Sequence, residues 1–418
     1  MQLIVNSGQL PVGWEIKKLD ELCEIARGGS PRPIKQFITN DPDGVNWIKI
    51  SDASSSSKYI YETKEKIKPI GIKHSRLVNE GDFILSNSMS FGRPYIMRTS
   101  GCIHDGWLVL KDKSGLFDQD YLYYFLGSNT TYKQFDRLAA GSTVRNLNID
   151  LVRGVKVILP PLPEQKRIVA ILDEAFEGID SAIANTEKNL ANSRELFESY
   201  LNAVFSKKGK GWEEKDLGDI AELIDSLHKT PSYIDEDGFP MVRVTDIKSG
   251  VLNLNNARRV DNSTFVEFSK RHTPKIGDIV FSRVGSYGVP ALVESDELFC
   301  LGQNTVFILP QINSQFLYFF LRSHNSQQQI EKFVAGTTQG TISLKSIKKI
   351  RVPIPPCSEQ LSLALEISYV LRNTQRLEAI YRQKLAALKE LKQSILQKAF
   401  TGELTADTPK TVKEEIAA

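Results

Sequence analysis

Two long stretches of this chain carry apolar or small residues at steps of three and four. In the first, from Glu164 to about Ser206, they fall at Ile168, Leu172, Ala175, Ile179, Ala182, Thr186, Leu190, Ser193, Phe197, Leu201 and Val204. That spacing places them on one side of an α-helix. The second stretch, from Glu359 to about Phe400, carries Leu361, Leu365, Leu371, Tyr381, Leu385, Leu388, Leu391 and Ile395, and its pattern is less regular from Arg372 to Glu378. Pro160-Pro161 and Pro355-Pro356 stand ahead of the two stretches, where proline ends a strand and suits the first turn of a helix. About forty residues at 1.5 Å each make a rod of about 60 Å. A lone helix with one apolar stripe is unstable in water, so the two stripes are expected to pair.

The remaining sequence has a shorter period. Runs rich in β-branched and aromatic residues at Asn46–Ile50, Asp82–Leu85, Trp107–Leu110, Met241–Val244, Asp278–Phe281 and Val306–Leu309 are bounded by Gly, Ser, Asn and Asp, which reads as short strands between turns. Two further stretches, Gln119–Phe135 and Ser314–Phe333, have helical character.

These elements occur twice. Ala140-Gly141-Ser142-Thr143 through Glu164-Gln165 is echoed 195 residues on by Ala335-Gly336-Thr337-Thr338 through Glu359-Gln360, and Phe205 matches Phe400 at the same offset. Gly13-Trp14-Glu15 is echoed by Gly211-Trp212-Glu213, Trp47 to Asp52 by Met241 to Asp246, Glu80 to Ser86 by Ile276 to Ser282, and Gly92-x-Pro94 by Gly288-x-Pro290. Duplication implies two similar bodies. The expected fold is α+β: two tandem mostly-β domains, residues 1–159 and 209–354, each followed by a helical region, 160–208 and 355–404, and then a polar tail, 405–418. With a whole domain between the helices, antiparallel pairing would set the domains at opposite ends of a rod, a dumbbell with pseudo-twofold symmetry. Gly141 and Gly336 are expected to form turns.

The composition is ordinary for a globular protein: 418 residues, 41% hydrophobic, 25% charged and a net charge of +3. This permits a polyanionic partner without demanding one. Cys23, Cys102, Cys300 and Cys357 lie far apart, as buried reduced thiols would. No apolar run approaches the roughly 20 residues a membrane helix needs, and the first residues lack a signal-peptide pattern. No membrane partner and a cytoplasmic location are expected.

In this order and duplicated, several marks resemble the specificity subunit of type I restriction-modification systems. They are Arg27-Gly28-Gly29-Ser30-Pro31 and Ser226-Leu227-His228-Lys229-Thr230-Pro231, the Ala-Gly-Ser/Thr-Thr loops, the Pro-Pro-x-x-Glu-Gln segments, and the closing Gln397-Lys398-Ala399-Phe400-Thr401-Gly402-Glu403-Leu404. Cys357-Ser358 departs from the Leu162-Pro163 of the first copy. The resemblance implies a chain without catalysis and with no cofactor of its own. It implies two target recognition domains that read a split, asymmetric site on double-stranded DNA, with the helices as spacer. It also implies two modification subunits that use S-adenosylmethionine to methylate adenine N6, and a restriction subunit that uses ATP, with Mg²⁺ likewise on the partner subunits.

The residues themselves agree. The Pro-Pro pairs lack the Asp/Asn and aromatic residue of an amino-methyltransferase motif, and no Gly-x4-Gly-Lys-Ser/Thr loop is present. His74, His104, His228, His272 and His324 form no metal-ligand pattern. Asp43, Glu62 and Lys64 have the residue types of a metal-dependent nuclease, but the second half has no counterpart and Asp41 to Gly44 reads as a turn. A duplicated coiled-coil scaffold without DNA specificity is the alternative reading.

The candidate DNA contacts lie on predicted loops. In the first half they are Ser30, Arg32, Lys49, Ser86, Asn87, Ser88, Arg93, Arg145 and Asn146. In the second they are Lys229, Thr230, Tyr233, Arg243, Arg283, Ser286, Tyr287, Gln303, Asn304, Thr338, Gln339 and Lys345. Asn and Gln suit adenine, Arg suits guanine, and lysines suit phosphates. Phe205 and Phe400, near the ends of the helices, are the candidates for docking partner subunits. No residue is expected to bind a metal.

Overall fold

The structure, a computed structural model, describes residues 10–54, 58–87, 92–138, 147–207, 209–235, 237–334 and 340–406. It divides into two compact units, one formed by residues 1–185 with 384–418 and the other by residues 186–383. Both long helices, Leu162–Ser206 and Cys357–Thr401, therefore contribute one part to each unit.

In the first unit a five-stranded sheet has the order Cys23–Arg27, Trp107–Asp112, Phe83–Ser86, Pro94–Met97, Tyr59–Ile60. A second sheet includes Val45–Ile48 beside Gly101–Ile103, and Glu15–Lys18 pairs with Lys156–Leu159 next to the long helix. The second unit repeats the plan. Ala221–Asp225, Thr305–Pro310, Ile279–Ser282 and Pro290–Leu292 form one sheet, Phe239–Val242 lies beside Cys300–Leu301, and Glu213–Asp216 pairs with Arg351–Ile354. The registers coincide: Trp107 faces Ser86 as Thr305 faces Ser282, and Leu108 faces Arg27 as Val306 faces Asp225. These central strands are buried on both faces, Phe83 and Leu85 in one cluster and Ile84 in another, as Ile279 and Phe281 are in one and Val280 in another, so a one-residue slip would send each side chain into the wrong cluster.

Each stretch expected to be a single helix is two. Gln119–Leu126 is followed by Asn129–Leu138, and Ser314–Arg322 by His324–Phe333. A serine causes each break. Ser128 Oγ donates to Phe125 O at 2.7 Å and accepts from Thr131 N–H; Ser323 Oγ donates to Phe320 O at 2.7 Å and accepts from Ser326 N–H. A hydroxyl that caps the next helix ends the previous one. The expected strand Asn46–Ile50 stops at Ile48 for a related reason. Asp52 accepts the Lys49 N–H at 2.9 Å and starts a helical turn, as Asp246 does for Arg243 at 2.8 Å.

The Glu-Gln pair of each repeat also has a structural use. Gln165 is fully buried; it accepts from Asp118 N–H at 2.7 Å and donates to Leu116 O at 3.0 Å and Pro160 O at 2.7 Å. Gln360 accepts from Asn313 N–H at 3.1 Å and donates to Pro355 O at 3.0 Å. Each glutamine joins the start of its long helix to the loop before the helix bearing Tyr121 or Phe316. A buried amide that meets several backbone groups at once is hard to replace.

The long helices pair antiparallel within the units. In the second unit Arg194 meets Glu378 at 3.2 Å and Tyr200 meets Glu366 at 3.5 Å, so one helix ascends as the other descends. In the first unit Lys392 meets Asp180 at 2.7 Å and lies 4.6 Å from the Phe176 ring centre. The stripe of the first helix is turned inward as its spacing predicts, with Ile168, Leu172, Ile179, Thr186, Ser193, Phe197 and Leu201 buried and Ala175, Ala182, Leu190 and Val204 half-buried. In the second helix Gln360, Ala364, Ile367, Thr374, Leu396, Ala399 and Phe400 are buried; of the expected stripe, Leu371, Tyr381, Leu385, Leu388 and Ile395 are half-buried, while Leu361, Leu365 and Leu391 are exposed, which corrects the register at those three positions. Next to the exposed Leu361 and Leu365, the buried positions are Gln360 and Ala364. Cys23, Cys102 and Cys300 are buried; Cys357 is exposed.

Candidate nucleic-acid interface

At one edge of each unit, loops from several strands converge on the turn that follows Gly101–Ile103 or Cys300–Leu301. The backbone frame is the same in both. Asn87 N–H donates to Gly106 O at 3.0 Å, and Asn87 O accepts from Leu147 N–H at 2.8 Å. At the equivalent place Arg283 N–H donates to Asn304 O at 2.8 Å, and Arg283 O accepts from Ile342 N–H at 2.9 Å. The side chains differ on this shared frame. Asn87 donates through Nδ2 to Asp105 O at 2.8 Å and is buried. Arg283 grips Asp225 through both carboxylate oxygens, at 2.7 and 2.8 Å, and donates to Ile342 O at 3.2 Å.

In the first unit the frame gathers Ser30, Arg32, Asn87 and a residue the sequence reading did not single out, Asp105. Ser30 Oγ donates to Asp105 Oδ1 at 2.6 Å, and Arg32 approaches Oδ2 at 3.7 Å with its side chain 82% exposed. Arg27 donates to Asp105 O at 3.0 Å. The Ser30 hydroxyl, followed by burial acting the other way, holds the Asp105 carboxyl below its ordinary value, so it is an acceptor at neutral pH. Gly28 makes this approach possible: a Cβ there would stand 2.1 Å from His104 O. The signal that could have found Asp105 was its alignment with Gln303 across the repeat.

Other first-unit candidates are divided in use. Lys49 pairs with Glu65 at 2.5 Å. Ser86 is buried and accepts the Arg93 N–H at 3.1 Å, so it shapes the turn. Arg93 is exposed, with its guanidinium 5.2 Å from the Tyr95 ring centre.

In the second unit Gln303 donates through Nε2 to Thr230 Oγ1 at 3.3 Å, and both residues are exposed. Asn304 holds φ +70°, the left-handed conformation that Asn tolerates. Lys229 pairs with Glu267, Arg258 covers Tyr233 at 4.8 Å, and Arg243 forks onto Asp246 at 3.1 and 3.2 Å. Ser286 gives its carbonyl to Ser282 Oγ, Tyr287 packs beside Gly340, and Lys345 is exposed on the short helix Leu344–Lys348.

A family profile described as "Type I restriction modification DNA specificity domain" matches residues 11–191 and again 209–390. The chain belongs to that family. The two matches cover most of the chain and follow its duplication. Among relatives, the type I restriction enzyme EcoBI specificity subunit of Escherichia coli is 24% identical, over 94% of this chain and 86% of its own length. The EcoKI specificity subunit of E. coli K12 is 23% identical, over 96% and 91%. The fold is shared with two solved structures. One, from work on complex assembly and conformational transition of the type I R-M system, has a TM-score of 0.79 at 20% identity, over 95% of this chain and 100% of that one. The other, the HsdS subunit of Thermoanaerobacter tengcongensis, has a TM-score of 0.59 at 19% identity, over 95% and 98%. The chain is thus a type I specificity subunit, not the catalytic component of its enzyme.

In this specificity subunit Phe205 and Phe400, the expected docking residues, lie in the cores of their units. Each is 1% exposed. Phe205 packs on Phe316 and Phe320 with ring centres 5.4 Å apart, and Phe400 on Tyr121 and Phe125 at 5.6 and 5.0 Å. A large apolar ring at the end of a helix is worth most inside a core, which is where each stands. Ser88, Arg145, Asn146, Thr338 and Gln339, and the turn glycines Gly141 and Gly336, lie outside the described residues. Asp43 sits in the turn closed by Gly44 N–H to Asp41 O at 3.0 Å. Among the described residues no three His, Cys, Asp or Glu side chains gather as a metal-holding group, and no helix is long and apolar enough to cross a membrane.

Proposed function

We propose that this chain reads a bipartite, asymmetric site on double-stranded DNA, one half-site per unit. Its helix pair spaces the half-sites and carries two adenine-N6 modification subunits and the restriction subunit. S-adenosylmethionine, ATP and Mg²⁺ belong to those partners in this reading, and the assembly works in the cytoplasm. The observation that carries it is the duplicated loop frame with unlike side chains, Asn87 and Asp105 in one unit against Arg283 and Gln303 in the other. Like halves would read a palindrome; unlike halves read an asymmetric site. Arg32, Arg93 and Lys345 are exposed cations fit for phosphates, which position a protein on DNA. Arg243 and Arg283 are spent on internal carboxylates and serve the frame. For docking, the second helix offers Leu361, Leu365, Tyr369 and Ile380, 52%, 55%, 64% and 47% exposed and spaced by near-whole helical turns.

The test is selection from a random duplex pool by the chain co-expressed with its modification subunit. Two short unlike motifs at a fixed gap are expected. Weak binding that depends on salt alone would leave a protein-only scaffold as the better account. Removal of one turn from both paired helices should alter the gap and leave the half-sites as they were.

A further inference from the structure

We infer that residues 105 and 303 each set the identity of one base in their half-site, Asp105 by accepting from a cytosine N4 amino group and Gln303 by a two-point pair with adenine. This rests on the DNA reading proposed above and goes further by assigning the reading atoms.

The two residues occupy one position on the duplicated frame. Each stands at the tip of the turn joining the equivalent strands, Gly101–Ile103 to Trp107–Asp112 and Cys300–Leu301 to Thr305–Pro310. The backbone bonds of Asn87 and Arg283 fix the two turns alike. A hydroxyl from the equivalent loop meets each side chain, Ser30 at Asp105 and Thr230 at Gln303. The frame is thus constant while the tip differs, as a specificity position requires.

The chemistry of each tip selects a base. Asp105 is 48% exposed, with Arg32 3.7 Å from Oδ2 and Arg27 held on its backbone carbonyl. A carboxylate facing DNA is repelled by phosphate, and Arg32 offsets that cost without using the second oxygen fully. Its favourable contact with a base is a hydrogen-bond donor in the major groove. The donors there are cytosine N4 and adenine N6, and adenine N6 stands beside the N7 acceptor, which repels a carboxylate. Cytosine is the base that remains. Gln303 gives one Nε2 hydrogen to Thr230. Its second Nε2 hydrogen and its Oε1 remain for adenine N7 and N6.

The experiment is a selection and methylation profile of the full chain with its modification subunit, wild type beside Asp105→Asn and Gln303→Glu. Asn at 105 can still meet Ser30, and 303 is exposed, so the second substitution tests the idea independently of the fold of the first unit. Asp105→Asn should lower the preference for cytosine at one position of one half-site by about tenfold or more and leave the other half-site unchanged. Gln303→Glu should exchange adenine for cytosine at one position of the other half-site. A bipartite motif that neither substitution alters overturns the assignment. A wild-type chain that yields no bipartite motif overturns the underlying reading instead.

Discussion

The two units share their backbone bonds and differ in the side chains those bonds carry. At the shared turn the first unit uses a small amide, Asn87, against a backbone carbonyl. The second puts a guanidinium there and supplies a half-buried carboxylate partner, Asp225, where the register of the first unit places Arg27, itself a cation that donates to Asp105 O. A buried charge requires a partner, so this change cannot occur alone. The comparison shows how one fold can carry two different loop surfaces. Strand register, glutamine joints and serine caps hold the frame, while the loop tips vary with compensating neighbours nearby.

The largest effect should come from the matched phenylalanines. If Phe205 and Phe400 are equivalent cores, truncating either to alanine should destabilise its own unit by about 3–5 kcal/mol through lost burial and a residual cavity. Trp212 lies in the second unit, while Trp14, Trp47 and Trp107 lie in the first. Urea titration followed by the fluorescence of a variant that keeps only Trp212 should show a lower midpoint for Phe205→Ala. With only Trp107 kept, Phe400→Ala should do the same. An unchanged midpoint in either case would break the equivalence.

A smaller effect sharpens it. Gln165 makes three hydrogen bonds and Gln360 two among those described above. Leucine at either place keeps the volume and leaves backbone groups unpaired, at about 1–3 kcal/mol for each buried group. Gln165→Leu should therefore cost more than Gln360→Leu, by the same urea titrations. Equal costs would mean that the additional bond of Gln165 adds nothing net.

Much of this was legible in the sequence because repetition doubles every signal. The long helices, the strand cores and the position of the polar loops follow from period and turn chemistry. The Glu-Gln motif was visible as a motif, but its use was not, because a side chain that bonds to a loop about 47 residues away leaves no local pattern. Arg283 and Arg243 read as DNA contacts because a loop arginine is usually free; the partner of Arg283, Asp225, is brought in by the fold, while that of Arg243, Asp246, is local and becomes a partner through the helical turn it starts. Asp105 was passed over because an acid is an unusual residue to place against a polyanion. Phe205 and Phe400 are legible as a matched pair, but their burial is not, because the rings that cover them come from Phe316 and Phe320 and from Tyr121 and Phe125, far off in sequence.

The smallest expected effect concerns the histidine in the turn that carries Asp105, and only the first unit has it. His104 stands where the second repeat has Gly302. Its Nδ1 accepts the Gly106 N–H at 2.8 Å, which requires that nitrogen to be unprotonated. Burial holds His104 below the ordinary imidazole value of 6.5, against the upward pull of Asp105 and Asp52 and with a smaller downward push from Lys49. The folded state therefore binds fewer protons than the unfolded state between the two values, and stability rises with pH across that window. The contribution of His104 is complete above about pH 6.5 and is lost as pH falls below it. Urea midpoints of the first unit at pH 7.5 and 5.5 should differ more for the wild type than for His104→Asn, and the Trp212 signal of the second unit should not respond to that substitution. If His104→Asn keeps the whole pH difference, the step belongs to carboxylates elsewhere, and the two turns differ in their tips alone.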